Sequence, residues 1–145
     1  MIKQSFPEIR PFRIDDIHQI LDIEKQAFPK TAYSKETLFH FAKSLLDNFV
    51  VIEWNKEIVG YIIFEDDGHI LSTAVKKSYR RKGLGRNLFL HASKYTKNRL
   101  WLEVRTKNEG AIAFYEKMGM HFVGKVSKYY GTDDALIMRM PPDAT

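Results

Sequence analysis

Residues 70–86 read ILSTAVKKSYRRKGLGR, and the fold turns on this stretch. Its first half, with Ile70, Leu71, Thr73, Ala74 and Val75, has the β-branched and apolar character of a strand. Its second half gathers Lys76, Lys77, Arg80, Arg81, Lys82 and Arg86 around two glycines, with no acid among them. Leu84, Leu88, Phe89 and Ala92 then recur at helical spacing. The stretch therefore reads as strand, glycine turn, helix. A helix N-terminus presents unpaired amides and about half a positive charge, and Gly83 and Gly85 remove side chains that would keep an anion away. A solvated basic face is the ordinary meaning of such a charge run; the glycines inside it point instead to a phosphate-binding turn. Two other phosphate loops do not fit the letters, because GxxxxGK[ST] is absent and GxGxxG would need a glycine where Leu88 stands.

Downstream, residues 100–104 (LWLEV) form a strand, so that residues 70–104 make a right-handed crossover and the strands at 70–75 and 100–104 run parallel. A helix over 111–118 closes at Gly119, and strands follow around 121–126 and 135–140. Upstream, the runs 49–54 and 58–64 join 70–75 in an antiparallel meander, broken by Asn55-Lys56 and Asp66-Asp67-Gly68. Two amphipathic helices come first: one begins at a cap on Asp15 or Asp16 and ends at Pro29, the other is capped by Ser34 and carries Leu38, Phe39, Phe41, Ala42, Leu45 and Leu46. Residues 1–145 are thus expected to form one α/β (α+β) domain, a mixed and mostly antiparallel sheet flanked by about four helices.

Composition narrows the function. With 44% hydrophobic and 28% charged residues the chain folds rather than staying disordered. Zero cysteines exclude disulfides and thiolate chemistry, and five histidines without HExxH-like spacing give no metal site. No apolar run approaches the roughly 18 residues of a membrane span, and the N-terminus has no signal-peptide core, so a cytoplasmic protein is expected, monomer or homodimer, with no membrane partner. A net charge of +5, concentrated at the glycine turn, favours an anionic ligand.

The run Arg80-Arg81-Lys82-Gly83-Leu84-Gly85, directly after Thr73-Ala74-Val75, resembles the acetyl-CoA signature of the GNAT N-acetyltransferases. The resemblance continues through LWLEVR at 100–105, Asn108, AIAFYE at 111–116, Gly119, and Tyr129-Tyr130 followed by Asp134-Ala135. Together with Ile9-Arg10-Pro11 and Phe28-Pro29 upstream, these look like the branch that acetylates protein N-termini, the RimI-like and archaeal N-terminal acetyltransferases.

The resemblance implies acetyl-CoA as cosubstrate and direct transfer in a ternary complex, and it gives residues their roles. The backbone of Thr73, Ala74 and Val75 would pair with the pantetheine arm, while Arg80, Arg81, Lys82, Gly83, Leu84, Gly85 and Arg86 would hold the pyrophosphate. Asn108, also a good helix cap, would bond the cofactor. A free α-amine (pKa about 8) is neutral at pH 7 far more often than a lysine (about 10.4), yet its proton still needs an acceptor. Glu103 alternates away from Leu100, Leu102 and Val104 on its strand and matches the family's general base; otherwise it would be an ordinary polar strand residue. Tyr115, otherwise a core aromatic, would face the leaving sulfur. Phe28, Pro29, Tyr33, Tyr129 and Tyr130 would flank the acceptor, aromatic packing at helix ends being the competing meaning for Phe28 and Tyr33. A lysine, a polyamine, another small amine or an aminoacyl-tRNA is the alternative acceptor, nucleic acid otherwise not being an expected partner; a non-catalytic acyl-CoA-binding module is the alternative class.

Overall fold

The computed structural model describes residues 6–129 and 133–141. Strands β2 (Phe49–Trp54), β3 (Glu57–Phe64) and β4 (Ile70–Val75) form the expected meander, preceded by β1 (Glu8–Pro11) in the sheet order β1-β2-β3-β4, all antiparallel. At the β2–β3 turn Asn55 and Lys56 take φ of 53° and 65°, the mirror-image turn geometry that matches strand twist. Strand β1 is an addition to the sequence-based order. It is four residues long and ends in a proline, too short for a visible alternation, and only pairing with the edge of β2 makes it a strand.

Both faces of this sheet are covered, which explains why β2 and β3 are almost wholly buried. Helices α1 (Ile17–Ala27) and α2 (Lys35–Ser44) bring Ile17, Ile20, Ile23 and Leu38 against Phe49, Val51, Tyr61 and Ile63. On the opposite face α3 (Leu84–Tyr95) sets Leu84, Leu88, Phe89 and Ala92 against Val50, Ile52, Ile62 and Phe64. Ser34 caps α2 as expected, accepting from Thr37 N–H at 3.1 Å. At α1 the expected aspartate cap is employed elsewhere. The Asp16 carboxylate accepts from Arg13 N–H at 2.8 Å and grips the Arg10 fork at 2.8 and 2.9 Å, with Glu53 on the other side of that guanidinium, tying β1 to the helix entry.

The rest of the chain forms a second antiparallel sheet of β5 (Trp101–Arg105), β6 (His121–Val126) and β7 (Ala135–Arg139), ordered β5-β7-β6. Helix α4 (Glu109–Lys117) lies between β5 and β6 in the chain. Strands β4 and β5 are parallel, as the crossover requires, but among the described residues they meet at a single bridge, His69 with Trp101. The expected mixed sheet is therefore divided into two antiparallel parts, and among the described residues the outer edge of β4 at Thr73, Ala74 and Val75 has no strand neighbour. Gly68 fixes the joint. It sits at φ +101°, its carbonyl accepts from Trp101 N–H at 2.9 Å, and a Cβ there would fall 1.9 Å from the Arg99 carbonyl oxygen, so only glycine fits. No helix among the described residues is long and apolar enough to cross a membrane.

Candidate active site

The basic turn opens α3 at the free edge of β4. Gly83 is the helix N-cap at φ 80°, ψ 9°, with no side chain to cap the first amides, which leaves them to solvent or an anion. A Cβ on Gly83 would meet nothing within 4 Å, so the mouth is open, whereas one on Gly85 would project between Phe114 and Val75, 3.5 and 3.8 Å away. The two glycines thus serve different ends: Gly83 supplies a left-handed backbone and clear space, and Gly85 keeps the gap between β4 and α4 narrow but unfilled. Arg81 also stands at positive φ, 65°, and Arg81, Lys82 and Arg86 are exposed around the mouth. Arg80 folds back, its Nε donating to the Val75 carbonyl at 3.1 Å. The short helical turn before it is anchored by Glu57, which holds Lys76 and accepts from the Tyr79 hydroxyl at 2.9 Å, while Tyr79 packs on Trp54. Those two donors, Lys76 first, hold the Glu57 carboxyl below its ordinary range.

Across the gap, β5 alternates as its sequence demands. Leu102 and Val104 are buried, and Trp101, Glu103 and Arg105 share the other face. Glu103 Oε2 lies 2.7 Å from His69 Nε2, and His69 Nδ1 lies 2.9 Å from Glu65 Oε1. The imidazole is stacked on Trp101, centroids 4.0 Å apart with planes at 10°. Burial pulls the His69 pKa down, but hydrogen bonds and charge from Glu103 and Glu65 outweigh it and hold the ring above its ordinary value. Tyr129 approaches the same carboxylate, and its phenol is pushed up by burial and by Glu103. Sequence reasoning missed His69, because a histidine one residue ahead of a strand carries no motif; its pairing with Glu103 depends on the bridge that joins the sheets.

The other expected residues divide. Asn108 caps α4, its Oδ1 accepting from Ala111 N–H at 3.1 Å. The Tyr115 ring packs beside Phe114 and Phe89. Tyr33 turns its ring edge-on to Phe41, centroids 5.1 Å apart, so its ring is held as packing within the helical layer. Phe28 is half-buried and Pro29 exposed in the segment after α1. Tyr130 lies outside the described residues. Arg105 joins two remote segments, donating to Asp133 at 2.7 Å, ahead of β7, and to Thr31 Oγ1 at 3.2 Å, between α1 and α2.

Known proteins resemble this chain in sequence and in fold. The family model described as the acetyltransferase (GNAT) family matches residues 14–120, a span that takes in the basic turn, Glu103 and Tyr115. An uncharacterized N-acetyltransferase of Methanocaldococcus jannaschii is 36% identical over 146 residues, covering 94% of this chain and 93% of the relative. The N-alpha-acetyltransferase of Saccharolobus solfataricus is 33% identical over 156 residues, covering 92% of each. Among solved structures, the ribosomal-protein-S18-alanine N-acetyltransferase of Escherichia coli has a TM-score of 0.78 at 26% identity, covering 97% of this chain and 96% of that one. A glycine mouth beside a free strand edge, matched over that length by sequence and by fold, makes this chain a member of the GNAT family of acetyltransferases.

Proposed function

We propose that this enzyme transfers the acetyl group of acetyl-CoA to the α-amine of a protein N-terminus, by direct attack within a ternary complex. The observation that carries the reading is the pairing of Glu103 with His69 at the bridge that joins β4 to β5, on the sheet whose β4 edge leads into the basic turn and α3. Bound acetyl-CoA supplies a thioester carbon open to attack by a neutral amine. The main-chain edge at Thr73, Ala74 and Val75 receives the pantetheine arm as a neighbouring strand would. The amides from Arg81 to Arg86, with their cations, hold the diphosphate. With the Asn108 carbonyl oxygen committed to its cap, the amide NH2 is the group that reaches the cofactor.

Glu103 accepts the proton that the amine loses as its nitrogen bonds to the carbonyl carbon, directly or through one water. His69 orients that carboxylate and shares the proton with it, and Glu65 on its far nitrogen fixes the ring. As the carbon–sulfur bond breaks, the Tyr115 phenol offers its proton to the departing sulfur. Phe28, Pro29, Tyr33 and Tyr129 bound the acceptor's path, Tyr129 beside Glu103 and Tyr33 through its main chain. The N-terminal acceptor is supported by the N-alpha-acetyltransferase relative and the S18-alanine acetyltransferase fold.

The test is to incubate the protein with acetyl-CoA and a mixed peptide library and to locate the modified nitrogen by mass spectrometry. Acetyl on α-amines is the expected result. Modification confined to lysine side chains, or none at all, would overturn the acceptor assignment.

A further inference from the structure

Glu24 is the most deeply buried acid among the described residues, 1% exposed, and the chemistry above makes no use of it. It sits in the last full turn of α1 and gathers three segments. Its Oε1 accepts from Ser72 Oγ of β4 at 2.6 Å and from the hydroxyl of Tyr61 on β3. Its Oε2 accepts from the main-chain N–H of Tyr33 at 2.9 Å, in the segment between α1 and α2. The two hydroxyls are 3.3 Å apart, and burial with the adjacent carboxylate pushes the Tyr61 phenol well up.

Placing a carboxylate here carries a large desolvation cost that an apolar side chain would avoid. What an apolar side chain cannot do is accept the Tyr33 amide. That amide belongs to residues 28–34, a stretch without helix or strand that walls the proposed acceptor path. At its other end the carboxylate is bonded to Ser72, next to Thr73, where the edge proposed for the pantetheine arm begins. One side chain therefore sets the separation between the acceptor wall and the donor strand.

We propose that Glu24 is a positioning residue that tunes acceptor binding by holding residues 28–34 at a fixed distance from β4. The proposal rests on the N-terminal acetyltransferase reading. Misplacing one reactant by about 1 Å costs up to about a hundredfold in rate, and moving the acceptor wall alone should appear chiefly in the acceptor constant.

The experiment combines steady-state kinetics on a peptide that the wild-type enzyme acetylates with amide hydrogen exchange. Glu24→Ala is expected to raise acceptor KM about tenfold, while kcat and the acetyl-CoA Kd stay within about threefold. In Glu24→Gln the amide carbonyl accepts the Tyr33 N–H and the NH2 serves both hydroxyls, so KM should return to within about threefold of wild type. An unchanged acceptor KM in folded Glu24→Ala, or an acetyl-CoA Kd rising in step with it, overturns the proposal. If Glu24→Ala does not fold, Tyr61→Phe takes its place; it should raise acceptor KM about threefold with acetyl-CoA Kd unchanged, and no rise overturns the proposal equally. In the wild-type protein the Tyr33 amide should exchange slowly. Free exchange there defeats the tether whatever the acceptor proves to be, whereas slow exchange in a protein that acetylates no peptide defeats the functional reading alone.

Discussion

The proposed donor half and the proposed acceptor half of this site are held together by different means. The donor half is largely local: strand, turn and helix follow one another over residues 70–95, its mouth is shaped by Arg81 and Gly83 at positive φ, and Glu57 is the one anchor named from outside the stretch. The acceptor half is assembled across the chain, with Glu24 reaching Tyr33, Tyr61 and Ser72, Glu103 meeting His69, and Arg105 meeting Thr31 and Asp133. A local device fails outright when its one backbone conformation is lost, whereas a distributed one loses function by degrees.

The sharpest way to break the donor half is Gly83→Glu. A side chain at φ 80° strains the backbone by about 1–2 kcal/mol, which the fold survives because nothing lies within 4 Å of the new Cβ. The carboxylate then stands where a diphosphate would lie, and acetyl-CoA affinity should fall by about a hundredfold or more. Isothermal calorimetry checks this, with Gly83→Ala as the milder control that keeps measurable binding. Full affinity in Gly83→Glu would move the cofactor elsewhere.

Next in size is Glu103→Gln, which leaves the donor half intact and removes a proton acceptor. Maximal rate should drop about a hundredfold, with acetyl-CoA Kd within about twofold. Single-turnover kinetics at saturating cofactor separates the two, and undiminished turnover would take Glu103 out of the mechanism.

The contrast also explains what the sequence could disclose. Gly83, the cations beside it and the helical spacing of Leu84, Leu88 and Ala92 lie within one short stretch, and local rules read them. The face of Glu103 was legible because strand alternation sets it, while the role proposed for it comes from the resemblance. His69, Glu24 and Arg105 were not, since their partners lie 34, 48 and 74 positions away and no periodicity encodes such a pairing. Strand β1 and the division into two sheets escaped for the same reason: one is made by its neighbour's edge, and in the other β4 and β5 are joined, among the described residues, only at the His69–Trp101 bridge.

His69→Gln sharpens the acceptor half through pH. The His69 pKa is raised in the folded protein, so at low pH the ring bonded to Glu103 already holds a proton. As pH rises through that raised value the pair sheds its proton and can take one from the amine. The acidic limb of kcat should therefore move to lower pH in His69→Gln, with a loss of about tenfold or less on the plateau. Stability gives a second sign. A raised histidine pKa stabilises the fold fully below the unfolded value near 6.5, and that contribution is lost as pH rises through the folded value. The wild-type advantage in Tm over His69→Gln should accordingly shrink between mildly acidic and alkaline buffers, and an advantage that grows would mean the carboxylates do not hold the ring.

The smallest effect is expected at Arg105, where the acceptor half is tied from the outside. Its Nη1 holds Asp133 at 2.7 Å and its Nη2 reaches Thr31 at 3.2 Å, so the segments before β7 and after α1 meet on one guanidinium. Lys107 also pairs with Asp133, at 3.3 Å, and together these cations, Lys107 first, hold that carboxyl below its ordinary range. Arg105→Ala thus leaves Asp133 one cation, and Tm should hardly move. Acceptor KM should rise about two- to fivefold while acetyl-CoA Kd stays constant. Because these charges are partly exposed, salt should imitate the substitution: between about 50 and 500 mM added salt the screening length falls to a few ångströms. Wild-type acceptor KM should climb toward that of Arg105→Ala, which itself should respond little. If both respond alike, the tie does not set the acceptor wall, and Glu24 alone holds it from within.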